Sequence, residues 1–125
     1  MTAQIEVMIA GGGPVGLTLA LALSHYGIDC RIAERNPTTT HVPKMDVTNC
    51  RSMELFRMLG VAERLREAGV PEDNNMDVSW VTAMSGHELH RFCYPSASEA
   101  RRMIRQRNDG TQPLEPNMRI SQVVL

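Results

Sequence analysis

Aromatic residues are scarce in this chain of 125 residues, with one Trp, two Tyr and two Phe making up 4% of it. An interior must therefore be built from aliphatic and thioether side chains, and the 42% of hydrophobic residues can supply one. Neither charge is in excess: 13 Lys and Arg face 14 Asp and Glu, a net charge of −1. That leaves no electrostatic case for nucleic acid or a membrane surface as partner. No apolar run reaches the roughly 18 residues that a membrane-spanning helix needs. No basic leader precedes an apolar stretch, which speaks against a signal peptide. Cysteine is also rare: Cys30, Cys50 and Cys93 stand far apart, which suits free thiols in a reducing compartment, with the cytoplasm as the default location. The length is that of one domain.

What the chain does have is glycine in a particular register. Gly11, Gly13 and Gly16 of Gly11-Gly12-Gly13-Pro14-Val15-Gly16 form G-x-G-x-x-G. A short apolar strand, Ile5 to Ala10, precedes the turn and an apolar helix, Val15 to Tyr26, follows it. A second strand runs from Ile28 to Ala33 and ends at Glu34. Strand, turn, helix, strand and acid together make a dinucleotide-binding fingerprint. Gly11 permits the tight turn, Gly13 lets the backbone approach a pyrophosphate, and Gly16 lets the helix pack on the strand. The pyrophosphate sits at the helix N-terminus, beside Pro14 and Val15, where N–H groups and the positive dipole end are free. Pro14 loses no intrahelical hydrogen bond in that first turn. Glu34 can accept hydrogen bonds from a ribose diol and would repel a 2′-phosphate, so FAD or NAD is expected rather than NADP.

Further along, Thr48 to Leu59 reads as a helix capped by Gly60, and Val61 to Ala68 as a shorter one capped by Gly69 and stopped by Pro71. Asp77–Met84 and His87–Tyr94 read as a hairpin about Ser85-Gly86. Ser96-Ala97-Ser98-Glu99 matches a capping box for a charged helix to about Arg107, ended by Asn108-Asp109-Gly110. Met118-Arg119-Ile120 is a candidate strand, and Ser121 the cap of a helix entering Gln122 to Leu125. Two strands of a βαβ start without the later parallel strands read as the N-terminal part of a longer protein. The fold class is α/β: an incomplete Rossmann-like FAD-binding βαβ domain, with the first hairpin of an interleaved substrate-domain sheet. Residues 1–70 form the βαβ start, 71–110 the hairpin and helix of a substrate-binding region, and 111–125 a return to the first domain.

The glycine turn through Leu17, the pair Glu34-Arg35, and the stretch Pro43 to Gly60 with Asn49-Cys50-Arg51-Ser52-Met53-Glu54-Leu55-Phe56-Arg57 together resemble the FAD-dependent aromatic hydroxylases. These are single-component flavoprotein monooxygenases, including phenol and hydroxyphenylpropionate hydroxylases. Arg119-Ile120-Ser121-Gln122 resembles the segment carrying a flavin-contacting glutamine in that family, which makes Gln122 a candidate contact. The resemblance implies NAD(P)H-driven reduction of FAD, capture of O₂ as a flavin C4a-hydroperoxide, and oxygen transfer to a small phenolic or aromatic substrate. The oxidising chemistry belongs to the flavin and the protein supplies orientation, so no catalytic side chain is assigned. Related chemistry on the same fold (a halogenase, an epoxidase, a quinone-pathway hydroxylase) and a non-catalytic nucleotide-binding fragment are the alternatives.

Lys44 stands where the family often has arginine; its ammonium can meet a phosphate or a flavin edge without the planar fork. Arg51 is open between facing the flavin phosphates and a solvated helix face, and Arg35 between a surface or ribose-side residue and a specificity switch. The family's later Gly-Asp motif has no counterpart here, and Asp109-Gly110 reads as a simple turn. His87, His90 and Cys93 read as hairpin residues rather than a metal site, and the arginines from Arg101 to Arg107 as a solvated helix face. The nine methionines read as core fillers, and Trp80 as hairpin packing. With half of the expected FAD site absent, residues 1–125 expressed alone are expected to be marginally stable or self-associating, since ordering each residue costs about 1–2 kcal/mol of backbone entropy. They should hold little FAD and show no phenol-stimulated NAD(P)H oxidation, as followed by absorbance at the nicotinamide band.

Overall fold

The computed structural model describes residues 5–42 and 44–124. Pro43, which opens the stretch resembling the hydroxylases, and Leu125, at the end of the expected last helix, lie outside them. The chain opens with strand β1 (Val7–Ala10), helix α1 (Pro14–His25) and strand β2 (Cys30–Ala33). β1 and β2 pair in parallel, with Val7 opposite Cys30 and Ala10 opposite Ala33. That is the expected βαβ start. Gly27, at φ +71°, ends α1 and donates its N–H to the Ser24 carbonyl, as a glycine past a helix C-terminus does.

The next helix begins later than its sequence pattern predicts. Val47–Thr48 form a short strand, β3, and α2 spans Cys50–Met58. β3 pairs antiparallel with β6 (Met118–Arg119), a contact across most of the chain that no local periodicity reports. Asn49 then caps α2, accepting from the Ser52 N–H at 2.9 Å. α3 spans Ala62–Ala68, and Gly69 closes it in extended rather than left-handed backbone. Strands β4 (Val78–Val81) and β5 (Glu88–Phe92) form the expected hairpin, with an irregularity between Trp80 and Val81. α4 (Ala97–Arg107) carries the complete capping box of Ser96 and Glu99. Asp109-Gly110 is a simple turn, as expected, with Asp109 accepting from Thr111. The expected helix at Ser121 is absent among the described residues: Ser121 to Val124 make a turn closed by the Val124 N–H on the Ser121 carbonyl.

The core is small. Met53, Ala62, Met118 and Ile120 are buried together, with Phe56 and Leu65 packed against them. Two methionines do fill the core, but Met8, Met58, Met84 and Met103 are exposed, which corrects the expectation that all fill it. Charge completes the packing. Arg66, buried in α3, meets Glu115 at 2.8 Å and Glu72 at 3.2 Å, and donates to the Pro116 carbonyl. Arg57 holds the other Glu115 oxygen at 2.7 Å and also pairs with Glu63. Arg101 reaches back from α4 to Glu72 at 2.8 Å. One ion network thus ties α2, α3, α4 and the segment leading into β6.

Burial pushes the Glu115 carboxyl up, but the hydrogen bonds from Arg57 and Arg66 outweigh it and hold the group below its ordinary value of 4.5. A carboxylate depressed in the folded state contributes stability above its unfolded pKa, and loses it as pH falls through the folded one. Glu115→Gln is therefore expected to cost about 3 kcal/mol at pH 7, in the range for breaking a buried pair. The gap to the parent protein should close as pH falls below about 4.5, which urea unfolding at pH 7 and pH 3 would measure.

Candidate functional site

The site starts where β1 ends. Gly11 takes φ +108°, a region closed to side chains with a Cβ, and its N–H bonds the Ala33 carbonyl at 2.8 Å, extending the β1–β2 pairing by one residue. Gly13 is the N-cap of α1 and has no side chain to cap it; Pro14 is the first helical residue. Leu17 donates to the Gly13 carbonyl, so the N–H groups of the preceding turn lack intrahelical acceptors. The three glycines of the register differ in what surrounds them. A Cβ on Gly16 would lie 2.0 Å from the Gly11 carbonyl oxygen and 3.3 Å from Ile9 Cγ2. A Cβ on Gly13 would meet nothing within 4 Å, and its backbone, at φ −76° and ψ −179°, suits any residue. Nothing in the protein itself requires glycine there.

Glu34 sits exposed at the end of β2 and reaches back to this turn. Its Oε2 accepts from the Gly12 N–H at 2.7 Å and its Oε1 from the Asn36 N–H at 2.8 Å. Those two bonds, Asn36 first and Gly12 second, lower its pKa and keep it ionised. Glu34 follows β2 directly, as the sequence predicts; the sequence reading missed Gly12, whose missing side chain admits Glu34, since a Cβ there would stand 3.2 Å from Glu34 Cβ. Only the adjacency of Gly12 to the motif could have hinted at it. Arg35, next along, is exposed.

The remaining candidates fall into two places. Lys44 and Gln122 come together: the Lys44 N–H donates to Gln122 Oε1 at 2.9 Å, and the Gln122 N–H to the Met45 carbonyl at 3.0 Å. This contact extends the β3–β6 pairing. Arg51 instead turns to Glu54, 2.9 Å away, and its side chain is 74% exposed. Between the glycine turn and the start of α2 runs a groove of about 510 Å³, with Pro14 and Val15 on one wall and Met45, Thr48 and Asn49 on the other. No cluster of three or more His, Cys, Asp and Glu among the described residues can hold a metal. Among the described residues, no helix is long and apolar enough to cross a membrane.

Residues 4–118 match the family described as FAD binding domain. FAD-dependent monooxygenase apdD of Emericella nidulans is 44% identical over 94% of this chain and 19% of its own length. Phenol 2-monooxygenase of a Pseudomonas species is 32% identical over 70% of this chain and 14% of that protein. Among solved structures, RebC soaked with K252c superposes at a TM-score of 0.80 with 37% identity, over 99% of this chain and 23% of that one. The flavin-dependent monooxygenase PieE, in complex with FAD and substrate, superposes at 0.78 with 28% identity, over 98% of this chain and 21% of that one. The chain spans about a fifth of the length of the curated relatives it matches.

The glycine geometry separates two substitutions. Gly16→Ala drives a methyl into the Gly11 carbonyl and is expected to disrupt the turn, with a clear loss of thermal stability. Gly13→Ala is expected to leave the melting temperature within a degree or two, because its methyl enters open space. Differential scanning fluorimetry of the two variants distinguishes them.

Proposed function

Because this chain belongs to the FAD binding domain family, we propose that it holds the adenosine and pyrophosphate of FAD in a monooxygenase that hydroxylates a phenolic or aromatic substrate. NAD(P)H is the reductant in this reading. The observation that carries it is the vacant approach at Gly13, where a Cβ would touch no protein atom although the motif keeps glycine. A backbone left bare for no internal reason suits a ligand that packs against it, and the unpaired N–H groups of the first α1 turn suit a pyrophosphate.

Pro14 and Val15 would border the pyrophosphate and Gly11 would shape the turn beneath it. Glu34 would take the adenosine ribose. Each of its oxygens already accepts one backbone N–H and keeps a further lone pair for a hydroxyl, while its charge disfavours a 2′-phosphate. Arg35 would lie on the ribose side. Lys44 and Gln122, joined by their hydrogen bond, would present an ammonium and an amide to the flavin end. Arg51 would reach the phosphates only by leaving Glu54. Bound FAD would supply the redox chemistry, passing electrons from NAD(P)H to O₂ for transfer of one oxygen to the ring. Residues 1–70 and 111–125 would belong to this cofactor domain and 71–110 to the substrate region. Three free thiols suit a reducing compartment such as the cytoplasm. The relatives' names, which include phenol and pentachlorophenol monooxygenases, support an aromatic substrate.

In the full-length protein, Gly13→Val is expected to yield folded, colourless enzyme, because the branched side chain fills the pyrophosphate approach. Glu34→Ala should raise the FAD dissociation constant about 10–100-fold through loss of charged hydrogen bonds. Fluorescence titration of apoprotein with FAD measures both; a Gly13→Val variant that purifies with full flavin would remove the basis of the proposal.

A further inference from the structure

Strands β3 and β6 are only two residues each, with Val47 opposite Arg119 and Thr48 opposite Met118. Continued outward by three residues, that register sets Lys44 opposite Gln122. Next to the strands the backbone still supplies the bond: the Ile120 N–H donates to the Asp46 carbonyl at 2.9 Å. Beyond it the chain turns, closed by the Val124 N–H on the Ser121 carbonyl. The Lys44 N–H, which an unbroken antiparallel ladder would give to a backbone carbonyl, goes instead to the Gln122 side chain, donating to Oε1 at 2.9 Å. The Gln122 N–H donates in turn to the Met45 carbonyl at 3.0 Å. One residue thus holds two consecutive residues of the segment before β3.

That segment is a wall of the cofactor groove. Met45, Thr48 and Asn49 line one side of it, and Pro14 and Val15, at the start of α1, line the other. Lys44, adjoining Met45, is exposed. Every ion pair among the described residues is made by arginine, so the Lys44 ammonium is free to meet an anion. It is a point charge on a flexible four-carbon stem. Where that charge can act therefore depends on how firmly the backbone beneath it is fixed, and fixing it beforehand lowers the ordering cost of binding.

We propose that Gln122 is a positioning residue of this groove: its side-chain oxygen stands in for a backbone carbonyl, adds a rung to the β3–β6 pairing, and so holds the Lys44 ammonium toward the pyrophosphate. The inference rests on the reading of the groove as the FAD site. It makes the effect of Gln122 on the cofactor pass mainly through Lys44, 78 residues away in the chain.

Fluorescence titration of the full-length apoprotein with FAD, at low and at high salt, tests this in Lys44→Ala, Gln122→Met and the double variant. Gln122→Met, which keeps the length of the side chain and removes the acceptor, is expected to weaken FAD about 3–10-fold. Both single variants should flatten the salt dependence that a free ammonium gives to the binding of an anion. In the Lys44→Ala background, Gln122→Met should cost less than about 2-fold more, since coupled residues do not add. Hydrogen–deuterium exchange of the peptide spanning Lys44 and Met45 reads the hydrogen bond in the apoprotein and should quicken in Gln122→Met. Gln122→Asn, one methylene too short to reach, should show the same pattern, so the test stands if Gln122→Met does not fold. Additive losses, or a Gln122→Met loss with the salt dependence intact, would mean that Gln122 acts by its own contact or by general stability and would overturn the inference. In that case a parent protein that binds FAD keeps the cofactor reading; a parent that binds none overturns both.

Discussion

The approach of α1 to the end of β1 governs the first half of the molecule. Gly16 lies so near the Gly11 carbonyl that a Cβ would stand 2.0 Å from it, a separation that no side-chain rearrangement can relieve because the obstacle is backbone. Only with glycine at that position can the helix start directly over the strand. Once it does, the free N–H groups of the first α1 turn gather above Gly13, and Gly12 is brought within reach of Glu34. The bare backbone at Gly13 lies in the turn that this contact shapes, beside the Glu34 that follows β2.

The second half is held by other means. With only five aromatic residues in the chain, the interior around Met53 and Ile120 is small, and charged groups do part of the positioning. Glu115 accepts from both Arg57 and Arg66, and Glu72 meets both Arg66 and Arg101. Burying such ions is costly, and the cost is offset only where geometry and hydrogen bonds are good. The distances of 2.7 and 2.8 Å at Glu115 meet that condition. The network fixes where β6 runs, and β6 in turn places Gln122 against Lys44.

Two apolar surfaces stand without cover. α1 is apolar on nearly every side, yet none of its residues is buried, and a helix apolar all round is one that packs within a larger body. The hairpin shows Val78, Trp80, Phe92 and Tyr94 at its surface, and an isolated two-stranded hairpin is at best marginally stable in water. Both surfaces accord with a chain that spans about a fifth of its curated relatives. The hydrogen bonds that shape the glycine turn run within it and to Ala33 and Glu34 at the end of β2.

That division also separates what could be read from the sequence and what could not. The βαβ start, the turn with its three glycines, the capping box of α4, the hairpin and the position of Glu34 were legible, since each rests on neighbouring residues whose side-chain size and periodicity carry the signal. Strand β3 was not: Val47 and Thr48 became a strand because Arg119 and Met118 arrived opposite them, and a two-residue strand leaves no alternation to detect. The turn at Ser121 stood in for a helix because a cap residue marks a possible start without ensuring the helix that follows. Arg51 and Lys44 were open between two roles in the sequence; packing turned Arg51 toward Glu54 and joined Lys44 to Gln122. The sequence by itself determined the glycine turn, where the lack of a side chain at Gly11 and Gly16 sets the geometry. Only the tertiary structure decided which charges meet, as Arg66 meets Glu115 and Glu72, because ion pairs between distant residues depend on where whole elements come to rest.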